Sequence, residues 1–224
     1  MAVDSVLSAI VLSHVRYYYI LTDMREPVTL PERVLTAARA LPEGTPVSAR
    51  ELLHLGQRAA VDQALSRLAR QGLLLRVARG MYVAPVESRY GTRAPYIATV
   101  VEGLAAHRGE RVARHGAMAA NALGLTTQVP VREVFLTSGR SCHLQFGKQT
   151  AELRHAPSWQ LLLLGRPAGD VIRAMAWLGP QRAGEAITVA KTRLQPSELS
   201  EVISARPHLP TWIAQEVSSL VTHG

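Results

Sequence analysis

The chain has 224 residues, of which 47% are hydrophobic, so it carries the apolar content of a folded protein and is not a solvated tail. Lysine and arginine number 25 against 17 aspartates and glutamates, and the formal charge of +8 points to a polyanionic partner, of which nucleic acid is the commonest. The single cysteine, Cys142, excludes an intramolecular disulfide and suits a reducing cytoplasm.

Residues 6–15 are apolar, and Tyr17, Tyr18, Tyr19, Ile20 and Leu21 extend them, which is the pattern of a signal peptide or a membrane segment. Asp4 stands where a secretory signal carries its basic region, however, and His14 and Arg16 interrupt the run before it reaches spanning length. No membrane insertion is expected. The economical expectation is that residues 1–30 are an N-terminal extension outside the core fold, with translation of the native protein starting at Met24.

Residues 31–85 are expected to form the first domain. In 31–41, Val34, Leu35, Ala38 and Leu41 share one stripe and Pro31 suits the first helical turn, which predicts a helix. After the turn-forming residues 42–46, Ser48 stands three residues before Glu51. That capping-box spacing predicts a short second helix through Leu52, Leu53 and Leu55, ended by a turn at Gly56. In 57–71, Val61, Ala64, Leu65 and Leu68 recur at the spacing of one helical face, while Arg58, Asp62, Gln63, Ser66, Arg67 and Arg70 occupy the other. Gly72 supplies the left-handed stop. Two apolar runs, 73–77 and 81–84, flank Ala78, Arg79 and Gly80 and predict a hairpin with Arg76 and Arg79 near its tip, closed by Pro85.

Helix, turn, helix and hairpin in this order make a winged helix-turn-helix, with 57–71 in the recognition position. Arg58, Gln63, Ser66 and Arg67 would then face the major groove, and Arg70, Arg76 and Arg79 would meet phosphates or the minor groove. The competing reading is an ordinary small α+β unit with solvated arginines. Residues 31–85 hold eight arginines against four acids, and five of the eight fall on the expected recognition helix and wing, so charge and element order agree on DNA.

Residues 86–95 are polar with glycine and proline and read as a linker, whose Arg89 and Arg93 could follow the DNA backbone. Residues 96–224 form the second domain. Its first helix is expected at 97–107, with Ile97, Val100, Val101, Leu104 and Ala105 on one side. His107, Arg108, Arg111, Arg114 and His115 follow, a dense basic cluster that reads as solvated loop and helix-end charge or as a second phosphate contact. A small-residue helix is expected at 116–123, a small antiparallel sheet within 132–154 with turns at 138–141 and 147–148, and helices at 167–178, 184–192, 196–205 and 210–221. The fold class is therefore α+β: an N-terminal winged helix-turn-helix, then a second α+β domain with a helical C-terminal end.

The run ALSRLARQGLLLRVARGMYVAP, residues 64–85, resembles the N-terminal domain of AbiEi-type antitoxins from type IV toxin-antitoxin systems. The match lies in Leu65, Leu68, Gly72, Leu74, Arg76, Val77, Gly80 and Tyr82. The later run HGAMAANALGLTTQVPVREVFLTSG, residues 115–139, resembles the second domain of a subgroup of the same proteins, and the two together cover most of residues 31–184. The resemblance implies a bacterial antitoxin that represses its own operon by binding operator DNA and opposes a nucleotidyltransferase-like toxin in phage defence. It does not require that antitoxin and toxin touch.

A search for catalytic chemistry returns little. Asp170 is the only aspartate after Asp62, so a metal-dependent nuclease or transferase would lack its usual carboxylate cluster. There is no Gly-x-Ser-x-Gly elbow, Walker loop or His-Glu-x-x-His. Cys142 and His143 with His155 suggest a metal, but neighbours on a strand point to opposite faces, and a surface histidine beside a small buried thiol is the simpler expectation. Asn121 is expected to be a hydrogen-bonded structural residue. The chain is thus expected to be a cytoplasmic, non-enzymatic DNA-binding repressor with no cofactor and no metal. Its contact set is Arg58, Gln63, Ser66, Arg67, Arg70, Arg76, Arg79, Arg89 and Arg93. The alternatives are a protein-interaction module that docks a toxin directly with only non-specific DNA affinity, and a nucleic-acid enzyme with an unrecognised site.

Overall fold

The structure, a computed structural model, describes residues 29–127, 133–147 and 149–220. The expectations for Met24 and the N-terminal extension, for the opening residue Arg132 of the sheet segment, for Lys148 in a turn and for a last helix reaching Val221 lie outside the described residues. The protein is mixed α+β and divides into two compact units, one holding residues up to His107 with Gln145–Gln149, the other Arg108–Leu144 with residues from Thr150 onward. Among the described residues no helix is long and apolar enough to cross a membrane.

The first unit opens with α1, Leu30–Arg39. Thr29 caps it: the Glu32 carboxylate accepts from both the Thr29 amide and hydroxyl at 2.8 Å, so the capping box starts the helix at Leu30, one residue ahead of the expected Pro31. Ser48 and Glu51 make the same pairing at 2.6 Å. Here the cap does not grow into the predicted helix. Residues 49–55 form tight turns, with Leu52 donating to Ala49 and Leu55 to Leu52, because Gly56 ends the segment before propagation can offset nucleation.

The next helix, α2, spans Arg58–Arg70 and buries Val61, Ala64, Leu65 and Leu68, the stripe its periodicity predicts. Gly72 follows at φ +74°, and Gly80 takes φ +70° in the turn between β1, Leu75–Ala78, and β2, Met81–Val83. The two strands pair antiparallel with an irregularity between Arg76 and Ala78. That alternation buries Val77 and leaves Arg76 outside. The Val47 amide donates to the Tyr82 carbonyl at 2.7 Å and the Tyr82 amide to the Val47 carbonyl at 2.9 Å, which adds a bridge from the inter-helix segment to the hairpin. Val34, Ala38, Leu52, Leu55, Leu65, Leu68, Leu74 and Tyr82 close one hydrophobic core.

Residues 86–95, read from sequence as a linker, instead hold a second hairpin, β3, Val86–Ser88, paired antiparallel with β4, Gly91–Arg93. Polar composition conceals it, since both strands are too short and too exposed to alternate visibly. Helix α3, Ile97–Arg108, follows and buries Ile97, Val100, Val101, Leu104 and Ala105.

In the second unit, β5, Val112–Arg114, leads into α4, Gly116–Ala122. Strands β6, Glu133–Thr137, β7, Cys142–Phe146, and β8, Gln149–His155, complete a four-stranded sheet of order β5-β6-β8-β7. The expected antiparallel sheet is corrected: β5 and β6 are antiparallel, but β6 and β8 are parallel from Glu133↔Ala151 to Thr137↔His155. The segment between β6 and β8, β7 included, serves as the crossover that a parallel pair needs.

Helices α5, Pro167–Leu178, α6, Ala183–Arg193, α7, Pro196–Ala205, and α8, Thr211–Ser218, form the C-terminal end. Ala168, Val171, Ile172, Ala174 and Met175 of α5 are in the core they enclose. Gly116 lets α4 approach α5, since a Cβ there would stand 2.4 Å from the Arg173 carbonyl oxygen. Arg173 itself is only 2% exposed. Its guanidinium reaches Asp170 at 2.9 Å and donates to the carbonyls of Leu162 and Gln160 at 3.1 and 3.3 Å, while its buried Nε finds no hydrogen-bond partner among the described residues.

Candidate nucleic-acid interface

The outer face of α2 is set by its inner one. Because Val61, Ala64, Leu65 and Leu68 point into the core, Arg58, Gln63, Ser66, Arg67 and Arg70 are exposed on the other side, as the helical period dictates. Arg58 Nε lies 3.9 Å from the Asp62 carboxylate across one turn, a solvent-exposed pair of little strength. Arg70 Nε donates to the Ser66 carbonyl at 3.4 Å, a weak hold on its own helix. Arg67 has no acidic partner among the described residues.

Ser66 departs from the rest. Its hydroxyl is 3.3 Å from the Tyr82 hydroxyl, so a residue assigned to base reading also ties α2 to β2. The Tyr82 ring is buried and its polar tip needs a partner, which Ser66 supplies. Sequence offered no sign of this bond, because sixteen residues separate the two and neither breaks a pattern.

On the hairpin, Arg76 and Arg79 are exposed and have no acidic partner among the described residues. Arg89 is at the tip of the second hairpin, with its guanidinium 4.7 Å from the centre of the Tyr90 ring, itself 85% exposed. Arg93 is placed differently. It grips Glu43 through two nitrogens at 2.9 and 3.1 Å, donates to the Ala94 carbonyl at 3.0 Å and stacks 4.3 Å from the centre of the Tyr96 ring. The Tyr96 amide also donates to Glu43, at 2.9 Å. The Arg93 hydrogen bond, joined by that amide, holds the Glu43 carboxyl below its ordinary value, while Glu43 in turn raises the guanidinium. Arg93 therefore braces the turn holding Glu43 against the start of α3, a pairing fifty residues long that leaves no local signal. Arg39 and Glu87, 2.8 Å apart, tie β3 to the end of α1 in the same way.

The basic cluster after α3 is dispersed. His107 pairs with Glu51 at 2.6 Å, and burial raises the Glu51 carboxyl less than the bonds from Ser48 and His107 lower it. Arg111 and Arg114 flank or belong to β5. His115 caps α4 by accepting from the Ala117 amide at 3.3 Å, and burial, reinforced by the charge of Arg154, depresses its basicity.

Among the described residues there is no group of three or more histidine, cysteine or acidic side chains placed to hold a metal ion. Cys142 is half-buried rather than buried, and His143 is exposed. The Asn121 amide donates to the Thr126 carbonyl at 3.1 Å, a bond that fastens the segment after α4.

No curated protein and no solved structure matches the chain. The Family of unknown function (DUF6088) matches residues 33–197, well over half of the sequence and running from α1 into α7, and the chain belongs to that family.

Proposed function

We propose that the protein is a DNA-binding repressor in which residues 30–83 act as a winged helix-turn-helix whose middle helix is reduced to the turns of residues 49–55. Helix α2 enters the major groove, with Arg58, Gln63 and Arg67 at base edges, and Arg70, Arg76 and Arg79 neutralise phosphates. The observation that carries this reading is the set of exposed arginines on α2 and the adjoining hairpin, of which Arg67, Arg76 and Arg79 have no acidic partner among the described residues. Cations left without partners on a helix and its neighbouring ribbon retain their attraction for a polyanion. We further propose that the DNA is the protein's own operator and that the chain serves as an antitoxin against a nucleotidyltransferase-like toxin. That part rests on the resemblance of residues 64–85 and 115–139 to AbiEi-type antitoxins.

A mobility-shift titration of the full chain tests the reading, with its own upstream DNA and an unrelated duplex at two salt concentrations. Selective retardation of the upstream fragment is the expected result. Equal, salt-sensitive retardation of both would reject operator recognition and favour direct docking of the toxin as the mode of neutralisation.

A further inference from the structure

The hairpin of β3 and β4 adds almost nothing to the core of its unit. Val86 and Arg93, at its base, are half-buried, and residues 87–92 are all exposed. Two three-residue strands with no buried face do not hold together in water by themselves. Polar clamps hold this pair instead. On one strand the Arg93 guanidinium grips Glu43 through two nitrogens, and on the other Glu87 meets Arg39 at 2.8 Å. At the tip the Ser88 hydroxyl donates to the Gly91 carbonyl at 2.9 Å and accepts from the Tyr90 amide at 3.3 Å, while Gly91 takes φ +107°.

The side chains presented by this braced tip are Arg89 and Tyr90. The guanidinium lies 4.7 Å from the centre of the ring, and the ring, at 85%, is the most exposed large apolar side chain among the described residues. Glu87 is engaged by Arg39 and Glu43 by Arg93, so the charge of Arg89 is left without an acid beside it. Guanidinium N–H groups and a phenol O–H are donors, and arginine and tyrosine are among the side chains that donate to phosphate oxygens in duplex DNA. Ten residues separate Gly80, in the turn of the first hairpin, from Tyr90, so the two tips stand no more than about 36 Å apart. One turn of duplex rises about 34 Å, so both tips can touch the same duplex within a turn.

We propose that β3–β4 is a second wing, in which Arg89 neutralises a backbone phosphate and the Tyr90 hydroxyl donates to a neighbouring one on the duplex that α2 reads. This inference rests on the DNA-binding reading above. Arg93 takes no part in the contact, since Glu43 already fills its fork.

The test is fluorescence anisotropy of a labelled duplex of the upstream DNA with the full chain at several salt concentrations. Arg89→Ala and Tyr90→Ala are compared with the parent and with the double alanine variant of Arg76 and Arg79. Tyr90→Ala should weaken binding about tenfold and leave the slope of log affinity against log salt unchanged, because a neutral donor releases no counterion. Arg89→Ala should flatten that slope by about 0.9. Both side chains are exposed, so the thermal melts of the variants should coincide with that of the parent. Hydroxyl-radical footprinting gives a second reading: the parent should protect sugars on one flank of the main footprint, and the double variant of Arg89 and Tyr90 should lose only that protection. Unchanged affinity and slope in both folded variants, with the Arg76 and Arg79 variant weakened, overturns the second wing and leaves the DNA reading standing. A parent that binds no duplex removes both. Unchanged DNA binding together with lost self-association in sedimentation would assign the tip to a second copy of the chain, and the proposal falls.

Discussion

Replacing Arg76 and Arg79 together by alanine separates a DNA-contacting hairpin from a merely wet one. Both side chains are exposed, one on the outer face of β1 and one in the turn to β2, and neither has an acidic partner among the described residues. Their removal should therefore leave stability within about 0.5 kcal/mol of the parent. Each phosphate neutralised contributes about 0.9 to the slope of log affinity against log salt, so losing two contacts should flatten that slope by about 1.8. Across a rise from about 50 to about 200 mM salt, the advantage of the parent over the variant should shrink by about 12-fold. Fluorescence anisotropy of a labelled duplex at several salt concentrations measures both slopes, on the operator and on an unrelated sequence. Parallel lines for parent and variant, with unchanged affinity, would refute the placement of this hairpin on the phosphates.

Four further outcomes follow from particular contacts. Gln63→Ala should alter sequence preference by about 1 to 3 kcal/mol at one base pair while sparing non-specific affinity, as read by binding-site selection; an unchanged preference removes Gln63 from base reading. Tyr82→Phe should cost about 1 kcal/mol in urea unfolding and become nearly neutral in a Ser66→Ala background, and additive losses would show that the two hydroxyls do not interact. Because the bond from Arg93 depresses the Glu43 carboxyl, the folded chain binds that proton more weakly than the unfolded chain does. Its contribution to stability is then whole above the ordinary glutamate value of 4.5 and is lost as pH falls through the depressed folded value. Glu43→Gln should flatten the acid limb of a Tm-against-pH profile, and an unaltered limb counts against the bracket. Arg173→Ala strands two carbonyls and Asp170 and should destabilise by about 3 kcal/mol in calorimetry; a loss well under 1 kcal/mol would mean that water replaces the guanidinium.

The amphipathic elements were legible in the sequence because their signal is local. Val61, Ala64, Leu65 and Leu68 recur at the helical period, and that same period dictates that Arg58, Gln63, Ser66, Arg67 and Arg70 face solvent. The turn of the first hairpin, α3 with its buried stripe and α5 through α7 were readable for the same reason: glycine, proline and periodicity act within a few residues. The capping box at Ser48 and Glu51 was readable too, but a cap states where a helix could start, and Gly56 decided that none would extend.

Long-range pairings belong to the tertiary structure alone. The parallel alignment of β6 with β8, the Val47 bridge to Tyr82, the grip of Arg93 on Glu43 and the contact of His155 with the Gly139 carbonyl unite residues whose separation along the chain leaves no period to detect. Each is chosen by which backbone and side-chain groups still lack partners once the helices have packed, a condition of the whole fold rather than of any window of residues. Arg93 shows the consequence: a basic residue in a polar stretch reads as a phosphate contact from its neighbours, and only packing reveals the carboxylate that already holds it.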